Sequence, residues 1–116
     1  MPTLQELRQK VDLELAGGWR VTVAVRENDV VGFVAMKPNE AVLNELFVRP
    51  EAIGSGVGQA LLAHAKAVMP AGFTLFTRSA NARARRFYEN AGLIVLRQAA
   101  HPRTGEPVTY YRWNAP

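Results

Sequence analysis

The chain has 116 residues, 48% of them apolar, no cysteine and a net charge of +4. That length suits one domain with a hydrophobic core, read here as spanning residues 1–116. Lack of cysteine rules out disulfides, thiolate nucleophiles and cysteine-held metals. No run of about 18 apolar residues and no basic-then-apolar N-terminus is present, so neither a membrane span nor a signal peptide is expected, and the cytoplasm is the default compartment.

The charge is uneven. Residues 1–48 hold five Lys/Arg against seven Asp/Glu, whereas residues 49–116 hold nine against three. A basic C-terminal half suits a polyanionic ligand or nucleic acid.

In chain order, Thr3 with Glu6 three residues later gives a capping-box signal. Leu4, Leu7, Val11 and Leu15 then form one apolar stripe, so a helix is predicted up to Gly17-Gly18. From Trp19 to Arg26, apolar residues alternate with Arg20, Thr22, Ala24 and Arg26, which predicts a half-buried strand. Glu27-Asn28-Asp29 turns the chain into a more buried strand, Val30 to Met36. Pro38-Asn39-Glu40 turns it again, and Ala41 to Val48 is a strand ending at Arg49-Pro50.

Three glycines at alternate positions follow, Gly54, Gly56 and Gly58. Leu61, Leu62, Ala65, Val68 and Met69 then recur with helical spacing until Pro70 stops the helix. Beyond it come a short strand (Phe73 to Thr77), a helix (Asn81 to Asn90) closed by Gly92, and strands Leu93 to Gln98 and Val108 to Trp113. A long hairpin loop, His101 to Pro107, joins the last two. The predicted order is α-β-β-β-α-β-α-β-β.

Strand, glycine-rich turn, helix is a phosphate-binding arrangement. A helix start has unpaired N–H groups and the positive end of the dipole, and glycines let a ligand approach the backbone. A Walker loop is excluded because Gln59-Ala60 replaces Lys-Ser/Thr. A Rossmann fingerprint fails because its third glycine would fall on Gln59. What remains, Val48-Arg49-Pro50, then Gly54-Ser55-Gly56-Val57-Gly58, then Leu61-Leu62, resembles the coenzyme A loop of the GNAT superfamily of N-acetyltransferases. One departure is Ile53, where that family usually has Gln or Arg. The later stretch NARARRFYENAGL is similar to a second GNAT pattern, matched at Asn81, Ala84, Phe87, Tyr88 and Gly92. The likeness is specific over Ala41–Leu93 and topological elsewhere.

The resemblance implies an α+β fold, with a mixed, mostly antiparallel sheet of about six strands and helices on both faces. The predicted order follows the family from its second strand onward. The family's first strand, and one of the two helices after it, find no counterpart. That leaves Trp19–Arg26 as a sheet edge open to a second chain. A homodimer through that edge, or through the C-terminal strand pair, is therefore expected.

The resemblance also implies acetyl-CoA as cofactor, bound by Phe47, Val48, Ile53, Gly54, Ser55, Gly56, Val57, Gly58, Gln59, Asn81, Ala84 and Tyr88. Asn81, Ala84 and Tyr88 fall at i, i+3 and i+7 on one helix face. There Asn81 can bond the pantetheine arm, Ala84 leaves room for it, and Tyr88 reaches the thioester. Phe87 is expected to point into the core. Acetyl transfer needs a polarised thioester, a neutral amine, stabilised oxyanion charge and a proton for the leaving thiolate. Tyr88 is the candidate acid, a backbone N–H near Phe47 or Val48 the oxyanion donor, and Glu45 a candidate base, with water or the hairpin loop as substitutes for it.

Other chemistries find little support. Neither Ser55 nor Ser79 lies in G-x-S-x-G. His64 and His101 are too isolated for a metal site, with His64 placed on an exposed helix face. His101 and Arg103 read as a solvated loop bordering the acceptor site. The leading reading is an N-acetyltransferase working through a direct ternary complex on a small-molecule or peptide amine. A second is an acyl-CoA-binding module that transfers weakly, which Ile53 and the missing strand favour. A nucleic-acid-binding module is a third; Arg83, Arg85 and Arg86 cluster, but Phe87 beside them is predicted buried.

Overall fold

The computed structural model describes residues 9–115. The chain forms two compact units, one up to Pro70 and one from Ala71.

The first unit holds strands β1 (Gln9–Leu15), β2 (Trp19–Arg26), β3 (Asp29–Lys37) and β4 (Val42–Val48), followed by helix α1 (Val57–Val68). Consecutive strands pair antiparallel, β1 with β2, β2 with β3 and β3 with β4. The expected N-terminal helix is therefore a strand over Gln9–Leu15; its capping pair Thr3 and Glu6 lies outside the described residues. The segment Val11-Asp12-Leu13-Glu14-Leu15 alternates with period two as well as fitting a helical stripe, and pairing with Trp19–Arg26 resolves the ambiguity. Gly17 and Gly18 both have positive φ (82° and 81°), a conformation glycine adopts without steric cost, and they reverse the chain between two strands.

Two expectations change with that strand. Trp19–Arg26 is not an edge, because β1 covers it. A strand precedes it after all. The described residues hold seven strands, β1 adding to the expected sheet of about six.

Helix α1 packs on β2, β3 and β4. Its buried residues Val57, Ala60, Leu61, Leu62 and Ala65 meet a sheet face carrying Thr22, Ala24, Val34 and Met36, all buried. So along β2 the alternation is real, but Thr22 and Ala24 are its more buried side, while Val21, Val23 and Val25 are half-buried. Gly32 makes this contact possible. A Cβ there would come within 2.6 Å of the Phe47 carbonyl oxygen and 3.2 Å of Val57 Cγ1. In β4 the register shifts, with Ala35 opposite Glu45 and Met36 opposite Leu43, so Asn44 is the bulged residue.

The second unit holds β5 (Gly72–Arg78), helix α2 (Ala82–Asn90), β6 (Ile94–Ala100) and β7 (Pro107–Asn114). β7 is central, antiparallel to both β5 and β6. Phe73, Leu75, Tyr88, Leu93, Val108 and Tyr111 are buried there. Among the described strands β6 pairs with β7 alone, and it exposes three consecutive apolar residues, Ile94, Val95 and Leu96, at 51%, 49% and 48%.

Candidate functional site

The glycine loop is built from the end of β4. The Arg49 N–H donates to the Val31 carbonyl at 2.9 Å, fixing the strand exit. Pro50–Ala52 form one 3-10 turn, and the N–H groups of Ile53 and Ser55 donate to Pro50 and Ala52 carbonyls at 3.3 and 3.1 Å. Gly54 and Gly56 then take φ of 84° and 91°, a conformation unfavourable for any residue with a Cβ. Gly56 is the N-cap of α1 and has no side chain with which to accept from the first-turn N–H groups. The first residues of an α-helix have no partner within it, so the N–H groups at Val57, Gly58 and Gln59 are left for an outside acceptor.

The start of α2 is different. Its N-cap Asn81 accepts the Ala84 N–H through Oδ1 at 3.1 Å and satisfies its own helix. Of the two α-helices among the described residues, α1 is therefore the one with an uncapped start. The pyrophosphate of coenzyme A fits such a cradle: glycine backbone with no Cβ in the way at Gly54, and an uncapped dipole end.

Two side chains brace the loop. Ser55 Oγ donates to the Ala52 carbonyl and accepts from Arg26 Nη2 at 3.0 Å. Ile53, 45% exposed, contributes no polar group. Arg26 and Gly32 went unnoticed in the sequence. Arg26 read as an outward residue of an alternating strand, and no motif links it to Ser55.

On β4, Glu45 is exposed beside the bulge. Phe47 is exposed, its ring 5.7 Å from that of Phe33, and Val48 is half-buried. His64 is not on an exposed face. It is half-buried, with Nε2 2.8 Å from the hydroxyl of fully buried Thr22, because α1 lies flat on β2 there.

In the second unit, Asn81 stands at the helix boundary and not on its face, with its carbonyl oxygen already used. Ala84 is half-buried. Tyr88, and not Phe87, is the buried residue of α2, at 7% exposure; Phe87 is half-buried with its ring 5.3 Å from that of Tyr88. Burial pushes the Tyr88 phenol up to about 12. Fully buried Tyr111 donates to Glu89 Oε2 at 2.6 Å, and burial and that hydrogen bond raise its pKa, with Arg85 opposing. His101 Nδ1 accepts the N–H groups of Arg103 and Thr104 at 3.1 and 3.3 Å, so its ring organises the hairpin loop; Arg103 is exposed.

Among the described residues, no cluster of three or more His, Asp or Glu could hold a metal ion. No helix there is long and apolar enough to cross a membrane.

An antiparallel meander leads through a glycine loop into an uncapped helix, in an α+β chain. The family model described as the acetyltransferase (GNAT) domain matches residues 17–92, well over half the chain. The chain belongs to the GNAT family, whose members are acetyl-CoA-dependent N-acetyltransferases. Among solved structures it is similar to a Bacillus anthracis protein assigned as a streptothricin acetyltransferase, in complex with acetyl coenzyme A. That match has a TM-score of 0.77 at 23% identity over 85% of this chain and 64% of the other. A GNAT-family protein from Desulfovibrio desulfuricans matches at TM-score 0.73 and 27% identity, over 86% and 71%. Nourseothricin acetyltransferase matches at 0.76 and 24%, over 86% and 67%. The chain thus spans about two thirds of the length of these structures. No curated protein matches the sequence.

Proposed function

We propose that this chain is an N-acetyltransferase that takes acetyl-CoA and acetylates a small-molecule or peptide amine by direct attack in a ternary complex. The observation that carries the reading is the uncapped start of α1 behind Gly54 and Gly56, where the other described α-helix caps itself. Acetyl-CoA supplies the acetyl group as a thioester. Backbone N–H groups of Val57, Gly58 and Gln59 hold its phosphates, with Gly54, Ser55 and Gly56 shaping the loop and Phe47, Val48 and Ile53 alongside the arm. Asn81 has its amide NH2 left to donate, Oδ1 being engaged. Ala84 leaves space beside it.

Tyr88 keeps its proton. With the phenol near 12 and an ordinary thiol near ~8.5, complete transfer to sulfur is uphill, so its Oη–H donates a hydrogen bond to the leaving sulfur. That refines the acid role expected from the sequence. Glu45, exposed on β4, draws the amine's proton away through water. The protein acts as a single domain over 1–116, in the cytoplasm, as a homodimer.

A second reading, an acyl-CoA-binding module that transfers weakly, keeps one argument, the apolar Ile53. The other, a missing strand, falls with β1.

Calorimetry with acetyl-CoA tests the reading. Gly56→Asp places a carboxylate at the helix start and should weaken binding at least about tenfold, ~1.4 kcal/mol. Unchanged affinity in the folded variant would reject the loop as the site. An amine screen scored by free-thiol release separates enzyme from binding module.

A further inference from the structure

Arg26 ends β2, 29 residues before Ser55, and its Nη2 donates to the Ser55 hydroxyl between the two left-handed glycines. Its Nε is buried with no hydrogen-bond partner, and among the described residues it forms no ion pair. A guanidinium with no carboxylate partner among the described residues therefore stands one hydrogen bond from the loop that begins α1. The start of α1 carries partial positive charge of its own. Two positive features side by side repel each other in a partly buried place, and an anion between them relieves both. Meanwhile Ile53 offers the loop no charge. We propose that Arg26 is the cationic component of the pyrophosphate site, anchored to the loop through Ser55 and supplying from β2 the charge that Ile53 lacks. This rests on the acetyl-CoA reading. A guanidinium suits the task because it can hold Ser55 with one N–H and still present others to a phosphate oxygen.

Calorimetry on the full chain is the test, with acetyl-CoA and dephospho-CoA as probes. Arg26→Gln keeps a hydrogen-bonding side chain and removes the charge. It should weaken acetyl-CoA binding about tenfold at low ionic strength and flatten the salt dependence, with the thermal midpoint of the free protein little changed. Arg26→Lys keeps the charge but loses the fork, so it should lose less affinity than Arg26→Gln and keep the salt dependence. Adding Ile53→Arg to Arg26→Gln should restore most of the loss. Dephospho-CoA, which lacks the 3′-phosphate, should show the same loss on Arg26→Gln, locating the effect at the pyrophosphate. Binding by Arg26→Gln within twofold of wild type overturns the proposal, as does a loss that salt does not modulate or that dephospho-CoA does not share. A wild-type chain that binds no acetyl-CoA fails the cofactor reading first, and Arg26 with it.

Discussion

Gly32 of β3 lies directly beneath Val57, the first residue of α1, so closely that a methyl group on Gly32 would sit 3.2 Å from Val57 Cγ1 and 3.1 Å from Leu61 Cδ1. The backbone on the other side is closer still, with the Phe47 carbonyl oxygen 2.6 Å away. The helix that presents the anion cradle therefore rests on a strand position where no side chain fits. The Phe47 carbonyl cannot retreat without moving β4, and the Val57 and Leu61 side chains must give way as well.

Gly32→Ala is expected to cost about 1–3 kcal/mol of stability by overpacking. Because the strain falls on the first turn of α1 and on Phe47, acetyl-CoA affinity should drop as well. Thermal denaturation and calorimetry on the same preparation check both. A variant as stable as wild type would mean that α1 shifts on the sheet at little cost.

Tyr88→Phe is expected to lower kcat roughly 10–100-fold on an accepted amine while acetyl-CoA affinity holds within about threefold, since the lost hydrogen bond forms mainly as charge develops on sulfur. Unchanged turnover would assign the hydroxyl no part in the reaction. Affinity falling together with turnover would make it a cofactor contact.

The same phenol should leave a mark on stability at alkaline pH. It ionises near ~10 in an unfolded chain and at about 12 in the folded one. As pH rises past ~10 the unfolded chain loses this proton while the folded protein keeps it, so the contribution, complete below that pH, is lost through about 12 at up to ~1.4 kcal/mol per pH unit. Tyr111 acts in the same direction. Urea midpoints measured over roughly pH 9–12 should fall less steeply in Tyr88→Phe than in wild type.

With β1 covering β2, the C-terminal strand pair is the expected dimer contact. β6 has one neighbour among the described strands and exposes Ile94, Val95 and Leu96, an edge suited to pairing with a second copy. Light scattering at micromolar concentration should report twice the chain mass, and Val95→Lys should bring it to one. A dimer that survives this change forms elsewhere.

Read by itself, the sequence specified what depends on neighbours a few residues apart. The glycines before Leu61-Leu62 mark a turn needing positive φ and a helix start without a cap. Asn81 to Gly92 carries a full helix with its boundaries, and alternation marks β2. Those stretches resemble the GNAT coenzyme A loop and helix, and the family model matches over residues 17–92. Contacts between distant residues decided the rest. Val11 to Leu15 satisfies two periodicities, and only pairing with β2 selects the strand. Phe87 and Tyr88 are adjacent aromatic residues on one helix, and the packing around Tyr111 determines which of them is buried and raised in pKa. Gly32 looks like any apolar strand residue until α1 lies on it. Arg26 looks like a solvent-facing charge until β2 brings it to Ser55. Local periodicity constrains which way a residue alternates, but what stands on the far side of the sheet is set by chain segments tens of residues away.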